Sequence, residues 1–207
     1  MSKVAAIILA AGESQRFGTG AEDNKVLATL DGVPLIRHVA EAALASQARP
    51  IVVVTGNAGP KIQTALSDLD LQFIHNPDPG AGLSRSLALG LDHLTEDISG
   101  ALILLADMPY VTASLIDQLV AAFEMAPADP FAVVPVHAGR RGNPVLLGKV
   151  IFAPVKAIEG DRGARSLIDA LEHGVIEGLL DDRSIEIDVD TQEMLDHLRE
   201  KPRLRRA

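Results

Sequence analysis

Residues 4–18 read VAAIILAAGESQRFG, an apolar run from Val4 to Ala10 that opens at Ala11-Gly12 into a polar, glycine-containing loop. Such a run, bounded by a glycine, reads as a strand buried on both faces. Comparable runs recur at Ile51–Val54, Leu71–Ile74, Ala101–Leu105 and Phe131–Val136. Between them, Leu35–Leu44, Lys61–Leu66, Leu83–Leu94 and Ser114–Phe123 carry apolar residues at helical spacing. The alternation predicts right-handed βαβ crossovers and a mostly parallel, three-layer α/β sheet with helices on both faces. No repeat or linker divides the pattern, so residues 1–200 are expected to form one domain. Residues 201–207 form a basic tail, expected to be a solvated end.

Composition narrows the function. Aromatic residues make up only 3% of the chain against 47% hydrophobic, so the core must be built from Ala, Val, Ile and Leu. That suits helices packed on a parallel sheet. A formal net charge of −9 argues against nucleic acid as a partner, because a nucleic-acid surface needs a basic face. The absence of cysteine excludes disulfides, zinc–thiolate sites and thiol nucleophiles, leaving oxygen or imidazole ligands for any metal. The apolar stretch ending at Ala11 is too short to span a bilayer and lacks a signal-peptide pattern, so no membrane association and a cytoplasmic location are expected.

Ligands of open α/β sheets collect beyond the carboxyl ends of the strands. After the first strand, Leu9, Ala10, Ala11 and Gly12 are small enough to let phosphate oxygens approach backbone N–H groups. Arg16 and Lys25 follow and could neutralise a triphosphate, the arginine as a fork and the lysine as a point charge. The loop is neither a GxGxxG fingerprint nor a Walker loop, because no GK[ST] ending follows. A glycine turn flanked by two surface cations fits these residues equally well. Asp107 follows an apolar strand and precedes Pro109, a position suited to holding Mg²⁺ against an α-phosphate. Alternatively it accepts backbone N–H bonds ahead of the helix at Thr112. Ile185–Val189 alternates like a strand and puts Asp188 and Asp190 on one side of it, while Asp190 and Glu193 together also resemble a helix-capping box.

The segment from Leu9 to Lys25 resembles the LA(A/G)GxSxRxG…K signature of the MobA/MocA-like nucleotidyltransferase family, which has a Rossmann-like, GT-A-type fold. The branch it is most similar to comprises the molybdenum cofactor cytidylyltransferases and their guanylyltransferase cousins. Further stretches match in order: Asn76-Pro77 with Gly82 and Ser84-Arg85-Ser86, then Leu105-Ala106-Asp107-Met108-Pro109. Gly142-Asn143-Pro144-Val145, Gly160-Asp161-Arg162-Gly163-Ala164-Arg165 and Asp188-Val189-Asp190-Thr191 complete the set. Two departures stand out. The interval between Arg16 and Lys25 is longer than the family's, with Thr19–Asp23 as the excess, which leaves the placement of Lys25 open. Asn143 stands where the family usually has histidine.

The resemblance implies transfer of a nucleoside monophosphate to a phosphate-bearing acceptor with release of pyrophosphate. Arg16, Lys25 and Asp107 are then catalytic, and Asp107 and Asp190 hold Mg²⁺. The nucleotide is bound by Leu9, Ala10, Ala11, Gly12, Arg16, Lys25, Asn76, Gly82, Ser84 and Ser86, although Ser84 could instead cap its helix. The acceptor is bound by Gly142, Asn143, Pro144, Gly160, Asp161 and Arg165, although Gly160–Arg165 could be a plain connection. Ala11 stands where the guanylyl branch tends to carry glycine; its β-carbon narrows the space beside the base and favours CTP over GTP. The implied partners are CTP, or another NTP, and a molybdopterin-type acceptor. A sugar phosphate acceptor remains within the same class. The rival from another class is a silent chaperone that hands finished cofactor to a molybdoenzyme client, which would have no need of a triphosphate-and-metal site.

Overall fold

The computed structural model describes residues 3–12, 17, 24–126, 129–160, 163–171, 173–180 and 182–200. Among the described residues ten strands run in chain order: β1 Val4–Ala10, β2 Thr29–Leu30, β3 Val33–Pro34, β4 Ile51–Thr55, β5 Gln72–His75, β6 Gly100–Leu105, β7 Ala132–His137, β8 Arg140–Arg141, β9 Val145–Gly148 and β10 Val175–Leu179. The helices are α1 Leu35–Ala45, α2 Gly59–Ala65, α3 Leu83–Asp92, α4 Ala113–Glu124, α5 Phe152–Lys156, α6 Arg165–Asp169 and α7 Gln192–Glu200. The main sheet has the order β10-β7-β9-β6-β1-β4-β5, with β8 added to β7; β2 and β3 form a separate hairpin. β1 pairs in parallel with both β4 and β6, β4 with β5, and β7 with β10. The antiparallel β9 sits between β6 and β7.

The expected three-layer, mostly parallel architecture is what the chain adopts, and the side-chain alternation of β1 shows why. Ala6, Ile8 and Ala10 face one apolar layer, shared with Ile36, Val39, Ala40 and Ala43 of α1 and with Leu115, Ile116, Leu119, Val120 and Phe123 of α4. Ile7 and Leu9 face the other, with Leu87 and Leu91 of α3, Val155 of α5 and Ile168 of α6. Every residue of β1 is buried. Each large aliphatic side chain so buried contributes about 1.5–3 kcal/mol, so β1 anchors the loop that follows it. A third cluster packs α7 (Leu195 and Leu198) against Leu30, Leu35, Ile187 and Val189.

The segment read as a strand over Ile185–Val189 is not one. Arg183–Glu186 forms a 3₁₀ turn, and residues 187–190 run on without a ladder. The segment crosses the loops at the carboxyl edge of the sheet, so its backbone bonds go to them. Asn143 N–H donates to Ile185 O at 3.0 Å and Val189 N–H to Asp107 O at 3.0 Å. The expected alternation survives, with Ile187 and Val189 buried and Asp188 and Asp190 exposed. Among the described residues, no helix is long and apolar enough to cross a membrane.

Candidate functional site

β1 and β6 are neighbours and parallel, so the loops after Ala10 and Leu105 emerge side by side at the carboxyl edge. Ala106 N–H donates to Leu9 O at 3.2 Å, which ties the Asp107 loop to the glycine loop. Asn24 accepts from Val26 N–H and starts a 3₁₀ turn, Lys25–Leu27, that brings Lys25 to the same edge. The Asp190 loop arrives through the Val189–Asp107 backbone bond. Residues 107, 25 and 190 therefore converge across long stretches of chain.

At the convergence Lys25 Nζ donates to Asp107 Oδ2 at 2.6 Å and to Asp190 Oδ1 at 2.7 Å. The Lys25 and Asp107 side chains are 17% and 16% exposed, whereas that of Asp190 is 50% exposed. Burial works to lower the pKa of Lys25, but the two carboxylates outweigh it and hold the ammonium above the ordinary lysine range. Asp188 is pushed up, first by burial and then by the neighbouring Asp190 and Asp107 carboxylates, with Lys25 opposing. Asp107 Oδ1 is buried and has no hydrogen-bond partner among the described residues. An orphaned carboxylate oxygen is costly in a folded protein unless something else binds it. Among the described residues, Asp107 bonds to Lys25 and to no backbone N–H. At the start of α7 the Thr191 hydroxyl accepts from Met194 N–H at 3.1 Å.

Two cavities are lined by residues of these loops. One, of about 590 Å³, is lined by Leu9, Ala10, Ala11, Gly12, Lys25, Asp107 and Asp190, with Gly82 and Ser86 at the start of α3. Its rim includes Pro79-Gly80-Ala81, a 3₁₀ turn the motif reading passed over although Asp78-Pro79-Gly80 is an ordinary turn signal. The other cavity, of about 530 Å³, is lined by Gly142, Asn143 and Arg165, together with Met108, Arg140, Arg141, Glu186 and Asp188. Chain neighbours thus face different cavities: Asp107 and Asp190 the first, Met108 and Asp188 the second.

Several expected site residues take other places. Gly160 lines the first cavity, not the second, and Pro144 lines neither. Gly82, at φ +97°, is the N-cap of α3, so Ser84 does not cap the helix; its hydroxyl donates to Gly160 O at 2.7 Å. Asn76 is fully buried, and its amide donates to Ser86 Oγ at 2.9 Å while its carbonyl accepts from Asp78 N–H at 3.0 Å. Asn76 and Ser84 therefore fix the rim of the first cavity from behind. Arg165 donates to Arg141 O. Arg16 and Asp161, like the basic tail, lie outside the described residues.

Residues 6–175 match the MobA-like NTP transferase domain. The chain belongs to that family. A MobA-like relative, the probable molybdenum cofactor guanylyltransferase of Natronomonas pharaonis, is 31% identical, the match covering 97% of this chain and 99% of that protein. The bifunctional protein GlmU of Legionella pneumophila is 29% identical over 145 residues, 70% of this chain but only 30% of GlmU. The chain thus spans less than a third of the bifunctional relatives it matches. Among solved structures, the manganese complex of Rv0371C from Mycobacterium tuberculosis H37Rv superposes with a TM-score of 0.82 at 20% identity, covering 97% of this chain and 100% of that one. That likeness concerns the fold.

Proposed function

We propose that this MobA-like chain transfers CMP from CTP to a molybdopterin-type acceptor and releases pyrophosphate, with Mg²⁺ held by Asp107 and Asp190. The observation that carries the reading is the convergence of both carboxylates on one cationic atom, Lys25 Nζ, in the lining of the first cavity.

The residues fit a hard divalent cation. The donors are carboxylate oxygens, one of them buried and without a partner among the described residues, and the sequence offers no thiolate. No group of three or more ligating side chains is present among the described residues. A pair suffices for magnesium, which completes its shell with phosphates and water. Bound there, the ion would supply charge neutralisation at the α-phosphate and the leaving pyrophosphate.

The protein's own residues do the rest by position and charge. In this reading the triphosphate lies along Ala10–Gly12 and the start of α3, and Lys25 moves from the carboxylates to the phosphates. The acceptor's phosphate oxygen, presented from the second cavity, forms a bond to the α-phosphorus. The bond from the α-phosphorus to the bridging oxygen breaks, and pyrophosphate departs with that electron pair. A phosphate nucleophile is already ionised at neutral pH, so no Ser–His–Asp arrangement is required. Ala11, 6% exposed on the wall of the nucleotide cavity, adds a methyl group beside the base and favours a pyrimidine.

Pyrophosphate release measured with each of the four NTPs, with and without molybdopterin, tests the proposal. Release with CTP and molybdopterin under Mg²⁺ is expected. A clear GTP preference in competition, the specificity the Natronomonas relative's name carries, would replace the base assignment. No release with any NTP would overturn the reading.

A further inference from the structure

The second cavity holds three guanidinium groups, and two of them are already engaged. Arg141 Nε donates to Glu177 at 2.8 Å and Nη1 to Asp169 at 2.9 Å, a pairing that holds β8 against β10 and α6. Arg165 donates to the backbone carbonyl of Arg141. Arg140 differs from both. It is exposed and lines the cavity, and its side chain makes no hydrogen bond or ion pair with any described residue.

Its placement is nevertheless well defined. Arg140 follows the two-residue turn Ala138-Gly139, both at positive φ (+47° and +79°), which closes the β7–β8 hairpin with His137 opposite Arg140. Two positive-φ residues match the twist of a tight hairpin and leave its register little freedom. On the far side, Gly142 N–H donates to Pro135 O at 2.9 Å, and a β-carbon at Gly142 would lie 2.4 Å from Ile185 O. The hairpin is thereby pressed against the segment that carries Glu186 and Asp188. One wall of the cavity is then cationic, while Glu186 and Asp188 line it with carboxylates.

We propose that Arg140, rather than Arg165, binds the acceptor's phosphate and selects for phosphomonoester acceptors, an assignment that rests on the transferase reading above. An uncommitted guanidinium can offer a phosphate two parallel N–H donors. Arg141 and Arg165 would first have to break existing contacts. The carboxylate wall suits the rest of such an acceptor if it carries N–H or O–H donors.

The test uses the full chain with Mg²⁺ and the α,β-methylene analogue of the preferred NTP, so that the nucleotide cavity is filled. Inorganic phosphate is then titrated calorimetrically into wild type, Arg140→Ala, Arg140→Lys and Arg165→Ala. Arg140→Ala is expected to weaken phosphate binding roughly ten- to a hundred-fold. Arg140→Lys should fall between, and analogue affinity should stay within about two-fold of wild type, because Arg140 does not line the nucleotide cavity. Unchanged phosphate affinity in Arg140→Ala overturns the assignment, as does a loss confined to Arg165→Ala or a wild type that binds no phosphate. Arg140-dependent phosphate binding without pyrophosphate release from any NTP would support the anion site and sink the transferase reading.

Discussion

Replacing Lys25 by alanine should have opposite effects on the metal and on the nucleotide. The Lys25 ammonium lies 2.6 Å from Asp107 and 2.7 Å from Asp190, where a divalent ion is proposed to sit. The ion must therefore displace it. Two unit charges about 4 Å apart attract by about 4 kcal/mol at an effective dielectric constant of about 20. Desolvation removes part of this, and Asp190 is half exposed, so about 1.5–3 kcal/mol is the appropriate range for the charged hydrogen bonds at stake. Without nucleotide, Lys25→Ala should then bind Mn²⁺ roughly ten- to a hundred-fold more tightly than wild type. Electron paramagnetic resonance of free aqueous Mn²⁺ measures this directly. With metal saturating, the same variant should use NTP roughly ten- to a hundred-fold less well, having lost a cation at the triphosphate. Weaker or unchanged Mn²⁺ binding in Lys25→Ala would refute the idea that lysine and metal share the carboxylates.

Two further predictions concern the scaffold. Gly142→Ala should destabilise the fold by about 1–3 kcal/mol, because the added β-carbon would collide with the backbone oxygen of Ile185 and with the base of its side chain; denaturant midpoints at unchanged slope would show it, and a neutral effect would mean the hairpin is not pressed against Ile185. Asp68 pairs with Arg37 through two hydrogen bonds of 2.8 and 2.7 Å. The Arg37 hydrogen bonds, helped by a backbone one, lower its pKa to about 2. Because the folded value lies below the unfolded one, this pair's stabilisation is present above the ordinary carboxylate range and fades as pH falls toward about 2. Carbon-13 titration of Asp68 should show that midpoint, with a return toward about 3.9 in Arg37→Ala.

Continuous apolar runs ending in glycine or a turn made the parallel strands legible: β1 begins and ends as read, and the neighbouring strands differ by a residue at their ends. Helix α3 stops two residues early at Asp92. The strands that were missed are the ones whose patterns are weak. β9 has only four residues and lies directly behind the Gly142–Pro144 motif, while β10 carries Glu177 and Gly178 and is at most half-buried at the sheet's edge. Asp107 was legible because a carboxylate just after a buried strand must emerge at the carboxyl edge. Asp190 was chosen by resemblance alone. The bridging of both by Lys25 was not legible, since it depends on loops 82 and 165 residues apart in sequence meeting in space. Arg140 and Arg141 belong to none of the motifs read from the sequence; the hairpin places them on a cavity wall.

Asp107→Asn tests the central claim most directly, because it keeps the side chain's shape while replacing a charged metal ligand with a neutral amide. Metal-dependent pyrophosphate release and Mn²⁺ binding should be measured together on the variant and wild type. The account predicts a folded protein whose turnover falls by roughly a thousand-fold or more, in line with the loss of a principal electrostatic stabiliser, and whose Mn²⁺ affinity drops with it. Turnover and Mn²⁺ affinity near wild type in Asp107→Asn would contradict it.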